Sequence, residues 1–285
     1  MNSAAAPRVC PLLERPSRTR TLDIAPPPWV VRECLETGFV YLENPPGYDS
    51  LKAELAWEVT WQRESERRAR AEPARYAFSG VLKRLRSRVL KRHKVAAMTV
   101  ALVRASGSPR IRIVDLGCGA GQLLGIVMDR LPADPRGRCE PWGVEISNEL
   151  ARQSKEALAP YGGDCVHASA LEGLGRFEPG SLDLVVMSSF LEHEIQPLPL
   201  LREAAARLRA GGQVLIKVPN YASWNRRLRG PKWCGFRWPD HVNYFTPATL
   251  AAMARAAGLE VERMNLFDRL PFSDSLYAVL RKPAA

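Results

Sequence analysis

The stretch "IVDLGCGAGQLLG", residues 113–125, narrows the fold of this chain more than any other. An apolar run ends beside an acid, three glycines follow at alternate positions, and an amphipathic segment resumes at once. A strand that turns through glycines into a helix brings bare backbone close to a ligand at the carboxyl end of a parallel strand. The spacing is G-x-G-x-G, whereas a dinucleotide fingerprint is G-x-G-x-x-G. Asp115 stands two residues ahead of the first glycine. A carboxylate there repels a diphosphate and attracts an ammonium or sulfonium group. Glu145 closes the next apolar run, "WGVEI", where an acid accepts hydrogen bonds from ribose hydroxyls. Together the two acids describe a nucleoside with a cationic, amino-acid-like tail.

Downstream the pattern alternates. "IRIVDL", "WGVEI", "DCVHA", "LDLVVMS" and "QVLIKVP" are short apolar runs, separated by helical stretches at 122–130, 148–159 and 198–210. Gly211 and Gly212 are expected to cap the last of these. Thr246 and Pro247 supply an N-cap and N1 for a further helix that Gly258 stops, and "LEVERMNLF" and "SLYAVLR" read as closing strands. Such alternation predicts an α/β fold, a parallel sheet with helices on both faces.

A length of 285 residues with 46% hydrophobic content is ample for one large domain plus an appendage. The expected organisation is a Pro-rich N-terminal segment over 1–50, a basic helical segment over 51–109, and the ligand-binding domain over 110–285 with an aromatic insert at 220–245. The net charge of +11 is concentrated between Arg63 and Lys94, where twelve Lys and Arg face three Glu. That excess suits a solvated helix face over 79–105, with Leu82, Leu85, Val89 and Met98 turned inward, and also leaves nucleic acid or an anionic surface open as partners. Six scattered cysteines without a C-x-x-C pair fit reduced thiols. Pro and Arg break the N-terminus before a signal-peptide core develops, and no uncharged run approaches membrane-spanning length, so a cytoplasmic protein is expected.

"VDLGCGAGQ", "GVEIS", "SLDLVVMSSFLEH" and "LRAGGQVLIKVPN" resemble, in order and spacing, the motifs of class I S-adenosylmethionine-dependent methyltransferases. The resemblance implies a Rossmann-like, doubly wound sheet of seven strands in the order 3-2-1-4-5-7-6, strand seven antiparallel. It implies S-adenosyl-L-methionine as cofactor, with Asp115 and the backbone of Gly117, Cys118, Gly119 and Gly121 around the methionine part. Glu145 would meet the ribose, and Ile146, Ser169 and Ser188 complete the expected cofactor set. Many members carry an acid after the third strand for the adenine amino group; "HASAL" has Ala168 or Ser169 there, so a hydroxyl or backbone must serve.

The segment "VPNYASWNRRLRGPKWCGFRWPDHVNYFTPATL" is similar to the ubiquinone-type O-methyltransferase group, and more faintly to small-RNA 3′-terminal 2′-O-methyltransferases. Methylation of a hydroxyl on a small or sugar-containing acceptor is therefore expected, with RNA methylation or non-catalytic cofactor binding as alternatives. Alignment and exclusion of water dominate such a displacement, and a base assists where the acceptor is a hydroxyl. His193 and His241 are the expected bases. Both groups use an E-x-x-E-H motif able to bind a divalent ion. Here Ser189 replaces the first Glu, leaving Glu192, His193 and, as a third candidate, His241; no metal is expected. Trp224, Trp233, Phe236, Trp238, Tyr244 and Phe245, interleaved with arginines, are read as a lid over the acceptor, against the alternative of a packed cap. "VCPLL" and "ECLETGFVYLENPP" resemble a zinc ribbon whose second knuckle positions are Leu13 and Thr37. Cys10 and Cys34 alone cannot close a four-ligand site, so a metal-free remnant is expected.

Overall fold

The computed structural model describes residues 7–46 and 93–284. The basic stretch 63–92, with Leu82, Leu85 and Val89, lies outside the described residues. Its expected continuation is helix α1 (Lys94–Ala105), which buries Met98. Three N-terminal strands come first: β1 (Thr19–Leu22), β2 (Val31–Cys34) and β3 (Val40–Leu42). The main sheet follows α1.

Strands β4 (Ile111–Leu116), β5 (Cys139–Glu145), β6 (Asp164–His167), β7 (Leu182–Ser188), β8 (Leu208–Pro219), β10 (Glu260–Arg263) and β11 (Ser275–Arg281) make that sheet, in the order β10-β11-β8-β7-β4-β5-β6. Counted from β4, this is 3-2-1-4-5-7-6. β11 runs antiparallel to both β8 and β10, while β4 through β8 pair in parallel.

Alternate side chains of the central strands enter two cores, as period-two strands buried on both sides require. Ile111 and Ile113 of β4, Leu184 and Val186 of β7, and Leu215 of β8 pack with α1 and with α2 (Gln122–Arg130), which contributes Leu124, Val127 and Met128. Val114 and Leu116, Val185 and Met187, and Val214 and Ile216 face the other way. They meet α5 (Ala170–Gly175), α6 (Pro197–Arg207) and α8 (Pro247–Ala256). Between α2 and α5 lie α3 (Ala133–Gly137) and α4 (Asn148–Leu158). Each fully buried Leu or Val contributes roughly 1.5–3 kcal/mol, so these two layers dominate stability. Thr246 and Pro247 open α8 as N-cap and N1, and the Thr246 hydroxyl accepts from the Thr249 N–H.

One boundary differs from expectation. Helix α6 stops at Arg207, and Gly211–Gly212 lie inside β8. Opposite β7, Leu182 pairs with Leu208 and Leu184 with Gln213, so the glycines belong to a bulge. Gly211 takes φ +72°, and a Cβ on Gly212 would come within 3.1 Å of the Leu182 carbonyl. The pair therefore admits a bulged strand against its neighbour.

The N-terminal strands and the insert form one unit. A second sheet runs β1-β2-β3-β9, where β9 (Asn243–Tyr244) comes from the insert. Val31, Val40 and Leu42 pack against Tyr221, Trp233, Phe236, Val242 and Tyr244. On the other face Phe39 meets Phe245 edge-on at 5.3 Å within the main core. Among the described residues, no helix is long and apolar enough to cross a membrane.

Candidate active site

The carboxyl ends of β4, β5, β7 and β8 meet at one edge, and the strand alternation puts Asp115, Glu145, Ser188 and Lys217 on the α1–α2 side of the sheet. Asp115 is 3% exposed. Burial, then the charge of Glu145, pushes its carboxyl up to about 8. A buried carboxyl held near its ionisation point by a second acid favours any cation brought to it. Glu145 is likewise buried; Oε2 accepts the Gly119 N–H at 2.9 Å and Oε1 the Ser147 N–H at 3.0 Å.

The glycine loop needs glycine for two separate reasons. Gly117, Gly119 and Gly121 all have positive φ. A Cβ on Gly117 would strike the Phe190 ring at 2.4 Å, whereas one on Gly119 would meet nothing within 4 Å and so faces open space. Cys118 turns its sulfur away, to Ser154 Oγ at 3.3 Å and Cys165 Sγ at 3.7 Å, leaving only its backbone on the loop. Ile146 is exposed, and its carbonyl lies 3.0 Å from His167 Nε2. The Ser169 hydroxyl is engaged at the start of α5, donating to Glu172 Oε2 at 2.6 Å and capping the Glu172 N–H. Ser188, half-buried, ends β7.

Beyond β7 the chain reverses at Ser189, whose φ of +59° is strained for a residue with a Cβ. Its N–H donates to the Lys217 carbonyl at 2.8 Å, and Lys217 Nζ donates to its hydroxyl. The next turn carries Glu192 and His193. The Glu192 carbonyl accepts the N–H groups of Val242 and Asn243, and Asn243 Nδ2 donates to the carbonyls of Leu191 and Glu194. The insert is thereby tied to this turn, which brings His241 beside His193 with ring centroids 4.7 Å apart. Arg8 adds a third tie, donating to the carbonyls of Leu42, Val242 and Ile195 and to Asn243 Oδ1.

Ligating atoms of Glu192, His193 and His241 all lie within 4.8 Å of one another. His193 donates from Nδ1 to the Asp240 carbonyl at 2.9 Å, and His241 from Nδ1 to the Gly235 carbonyl at 2.8 Å, so each carries its lone pair on Nε2. Burial, then Arg237, lowers His193 to about 4; burial, then His193 itself, takes His241 well below its ordinary value. Both are neutral near pH 7. Burial raises Glu192 to about 7 against the opposing charges of Lys217 and Arg237, and its Oε2 has no hydrogen-bond partner among the described residues.

The three atoms lie close enough together to ligate one ion, but the set offers a single carboxylate. That carboxylate faces two fixed cations, Lys217 and Arg237. Lys217 opposes a doubly charged ion placed there, while the charge of Arg237 is partly offset by Asp240 at 3.5 Å.

The aromatic insert is a correction to the lid reading. Trp233, Phe236, Tyr244 and Phe245 are at most 3% exposed and form a packed core, and among the insert's aromatics Trp224 alone is largely exposed. A carboxylate decides the packing. Asp274 accepts from Trp233 Nε1 at 2.6 Å, Asn225 Nδ2 at 2.6 Å and Ser223 Oγ at 3.2 Å, drawing α7 (Trp224–Arg229) and the rings onto β11. Nothing in the local sequence marked Asp274 or Arg8, since both act across long separations. Lys217 did leave a signal, as a charge inside the apolar run "QVLIKVP".

Cys10 and Cys34 are buried; Cys10 Sγ lies 3.7 Å from Thr37 Oγ1 and Cys34 Sγ 3.4 Å from Ser17 Oγ.

The Methyltransferase domain family matches residues 74–263, an interval that contains the glycine loop, both acids and the turn after β7. The chain belongs to that family. Its cofactor is S-adenosylmethionine, and the open Gly119 surface beside a buried, cation-seeking carboxyl fits that molecule. The ubiquinone biosynthesis O-methyltransferase of Cupriavidus pinatubonensis is 29% identical over 178 residues, covering 60% of this chain and 68% of the relative. That of Xanthomonas euvesicatoria is 28% identical, covering 54% and 64%, so the matched stretch spans about two thirds of these relatives' length. Among solved structures, the CcbJ methyltransferase of Streptomyces caelestis has a TM-score of 0.51 at 20% identity, covering 66% of this chain and 90% of its own. The methyltransferase partner of the Haloferax volcanii Trm112 activator reaches 0.52 at 17% identity, covering 70% and 94%. At those identities the two structures bear on the fold alone.

Proposed function

We propose that this methyltransferase methylates a hydroxyl of a small or sugar-containing acceptor in the cytoplasm. The observation that carries the cofactor half is Asp115, a buried carboxyl at the mouth of the glycine loop held near 8 by its surroundings. The acceptor half draws on the names of the ubiquinone biosynthesis relatives. The six cysteines, none of them in a disulfide, suit a reducing compartment.

In this reading Asp115 takes the ammonium of the cofactor's amino-acid tail, and Gly117, Cys118, Gly119 and Gly121 offer their main chain to it. Each Glu145 carboxylate oxygen already accepts one backbone N–H and keeps a lone pair for a ribose hydroxyl. Ile146, Ser169 and Ser188 border the nucleoside. The bound cofactor supplies an activated methyl on a cationic sulfur. The chain aligns the acceptor oxygen, keeps water out and receives the hydroxyl proton at Nε2 of His193, with His241 next to it. The low pKa of His193 keeps it unprotonated throughout the physiological range.

The test is to incubate the protein with methyl-labelled cofactor and fractionated cell extract. Label should enter the small-molecule or glycan fraction; label in RNA, or none at all, refutes the reading. Asp115→Ala should abolish cofactor binding by calorimetry. His193→Ala should keep binding and cut turnover by roughly 100-fold, the scale of one acid–base group. Unchanged turnover removes His193 as the base.

A further inference from the structure

Cys118 stands between Gly117 and Gly119 of the glycine loop, yet its side chain leaves the loop for another partner. Its sulfur lies 3.7 Å from Cys165 Sγ on β6, the edge strand of the main sheet, with the Ser154 hydroxyl 3.3 Å away. The sheet register explains how the two sulfurs meet. Asp115, Gly143 and Cys165 pair in one row across β4, β5 and β6, so the bare Gly143 leaves a gap in the middle of that row. A Cβ on Gly143 would come within 2.5 Å of Cys118 Sγ and 2.9 Å of Cys165 Sγ. Any other residue there would part the sulfurs. Cys118 is buried, whereas Cys165 is half-buried and so partly open to solvent. The hydrogen bond between the thiols lowers Cys165 below its ordinary value and raises Cys118, which makes the outer sulfur the readier nucleophile.

We propose that Cys118 and Cys165 form a reversible oxidation site, which a hydroperoxide such as hydrogen peroxide closes into a disulfide that weakens cofactor binding. The bond stands on the sulfurs alone; its effect on the cofactor rests on the loop's part in the proposed function. The Cys165 thiolate attacks one peroxide oxygen, breaks the O–O bond and becomes a sulfenic acid, releasing hydroxide that takes up the proton Cys165 had lost. Cys118 then attacks that sulfur, and its own proton leaves with the departing hydroxyl as water. Two thiols have lost two electrons, and the peroxide has become two waters. Bonded sulfurs stand about 2.05 Å apart, against 3.7 Å between the thiols. Closing that gap draws the loop towards β6 and strains the bond from the Gly119 N–H to Glu145 Oε2. The main chain offered to the cofactor is thereby displaced.

The experiment oxidises the whole protein with hydrogen peroxide, digests it without reductant for mass spectrometry, and measures S-adenosylmethionine affinity by calorimetry before oxidation, after it, and after dithiothreitol. The Cys118 and Cys165 peptides should appear joined and lighter by two hydrogens. Affinity should fall at least ~10-fold on oxidation and return with dithiothreitol. By linkage, a tenfold preference for the reduced form means that saturating cofactor raises the midpoint potential of the pair by about 30 mV. Cys165→Ser should bind cofactor as reduced wild type does and keep its affinity through the same treatment, with Cys165→Ala in its place if the serine variant folds poorly. Absence of the joined peptide, or a joined peptide with unchanged affinity, overturns the proposal. So does an affinity loss that persists in the Cys165 variants. Reduced wild type that binds no cofactor would refute the functional reading instead, while the joined peptide would still decide the bond.

Discussion

At the scale of single residues, Asp115 sets function against stability. Its ordinary pKa is 3.8 and the fold raises it to about 8. A carboxyl whose folded-state pKa exceeds its unfolded value favours folding while protonated. That contribution is complete below about pH 4 and is lost as pH rises towards about 8. Asp115→Asn keeps the shape and removes the charge. Without cofactor, the Asn variant should match wild type near pH 4 and exceed it by about 1–3 kcal/mol at pH 8, read by thermal unfolding across pH. Parallel curves would mean that Asp115 ionises freely in the fold. On the proposed role of Asp115, cofactor binding runs the other way, because a cationic tail favours the carboxylate. Wild-type affinity should climb between about pH 6 and about pH 8 and then level, with proton release visible by calorimetry in buffers of different ionisation enthalpy. The nearness of Asp115 to the glycine loop was legible in the sequence because the two are contiguous. Lys217 is 28 residues from the serine it holds, and only the sheet register brings the two together.

At the scale of elements, α2 and the loop before it were readable because each boundary has a local cause. Gly121 turns the chain into the helix at φ +76° and Leu131 leaves it in an extended conformation. The end of α6 was not, because a Gly-Gly pair terminates a helix and bulges a strand with equal ease. The partner strand decides, and β7 lies more than twenty residues upstream. Gly117 makes the dependence on neighbours testable. Gly117→Ala combines a φ of +66° with a Cβ 2.4 Å from Phe190. The backbone conformation alone costs about 1 kcal/mol and the ring must also move. Cofactor affinity should fall at least ~10-fold with a lowered unfolding midpoint. Adding Phe190→Ala should return part of the affinity, since it relieves the collision and leaves the φ penalty. If the double variant binds no better than Gly117→Ala, the ring is not the obstacle.

At the scale of the whole molecule, the two buried acids at the sheet edge and the histidine cluster rest on different supports. Asp115 and Glu145 stand on the sheet between two large cores, while His241 directly precedes Val242 of a smaller core shared by the insert and the N-terminal strands. The aromatic content of the insert was plain in the sequence. That its rings face residues 31–42 was not, because the contact spans about two hundred residues and no local pattern encodes it. Asp274 is the point on which the insert turns, accepting hydrogen bonds from Ser223, Asn225 and Trp233. Asp274→Ala leaves the indole N–H and the Asn225 amide without that acceptor, a loss of about 2–4 kcal/mol. The smaller core should loosen first, seen as a red shift of tryptophan emission and a lower-temperature unfolding phase. S-adenosylmethionine affinity should stay within about twofold, while turnover falls as His241 loses its place beside His193. A parallel loss of cofactor affinity would show that the two supports are one, and that the insert helps to shape the glycine loop itself.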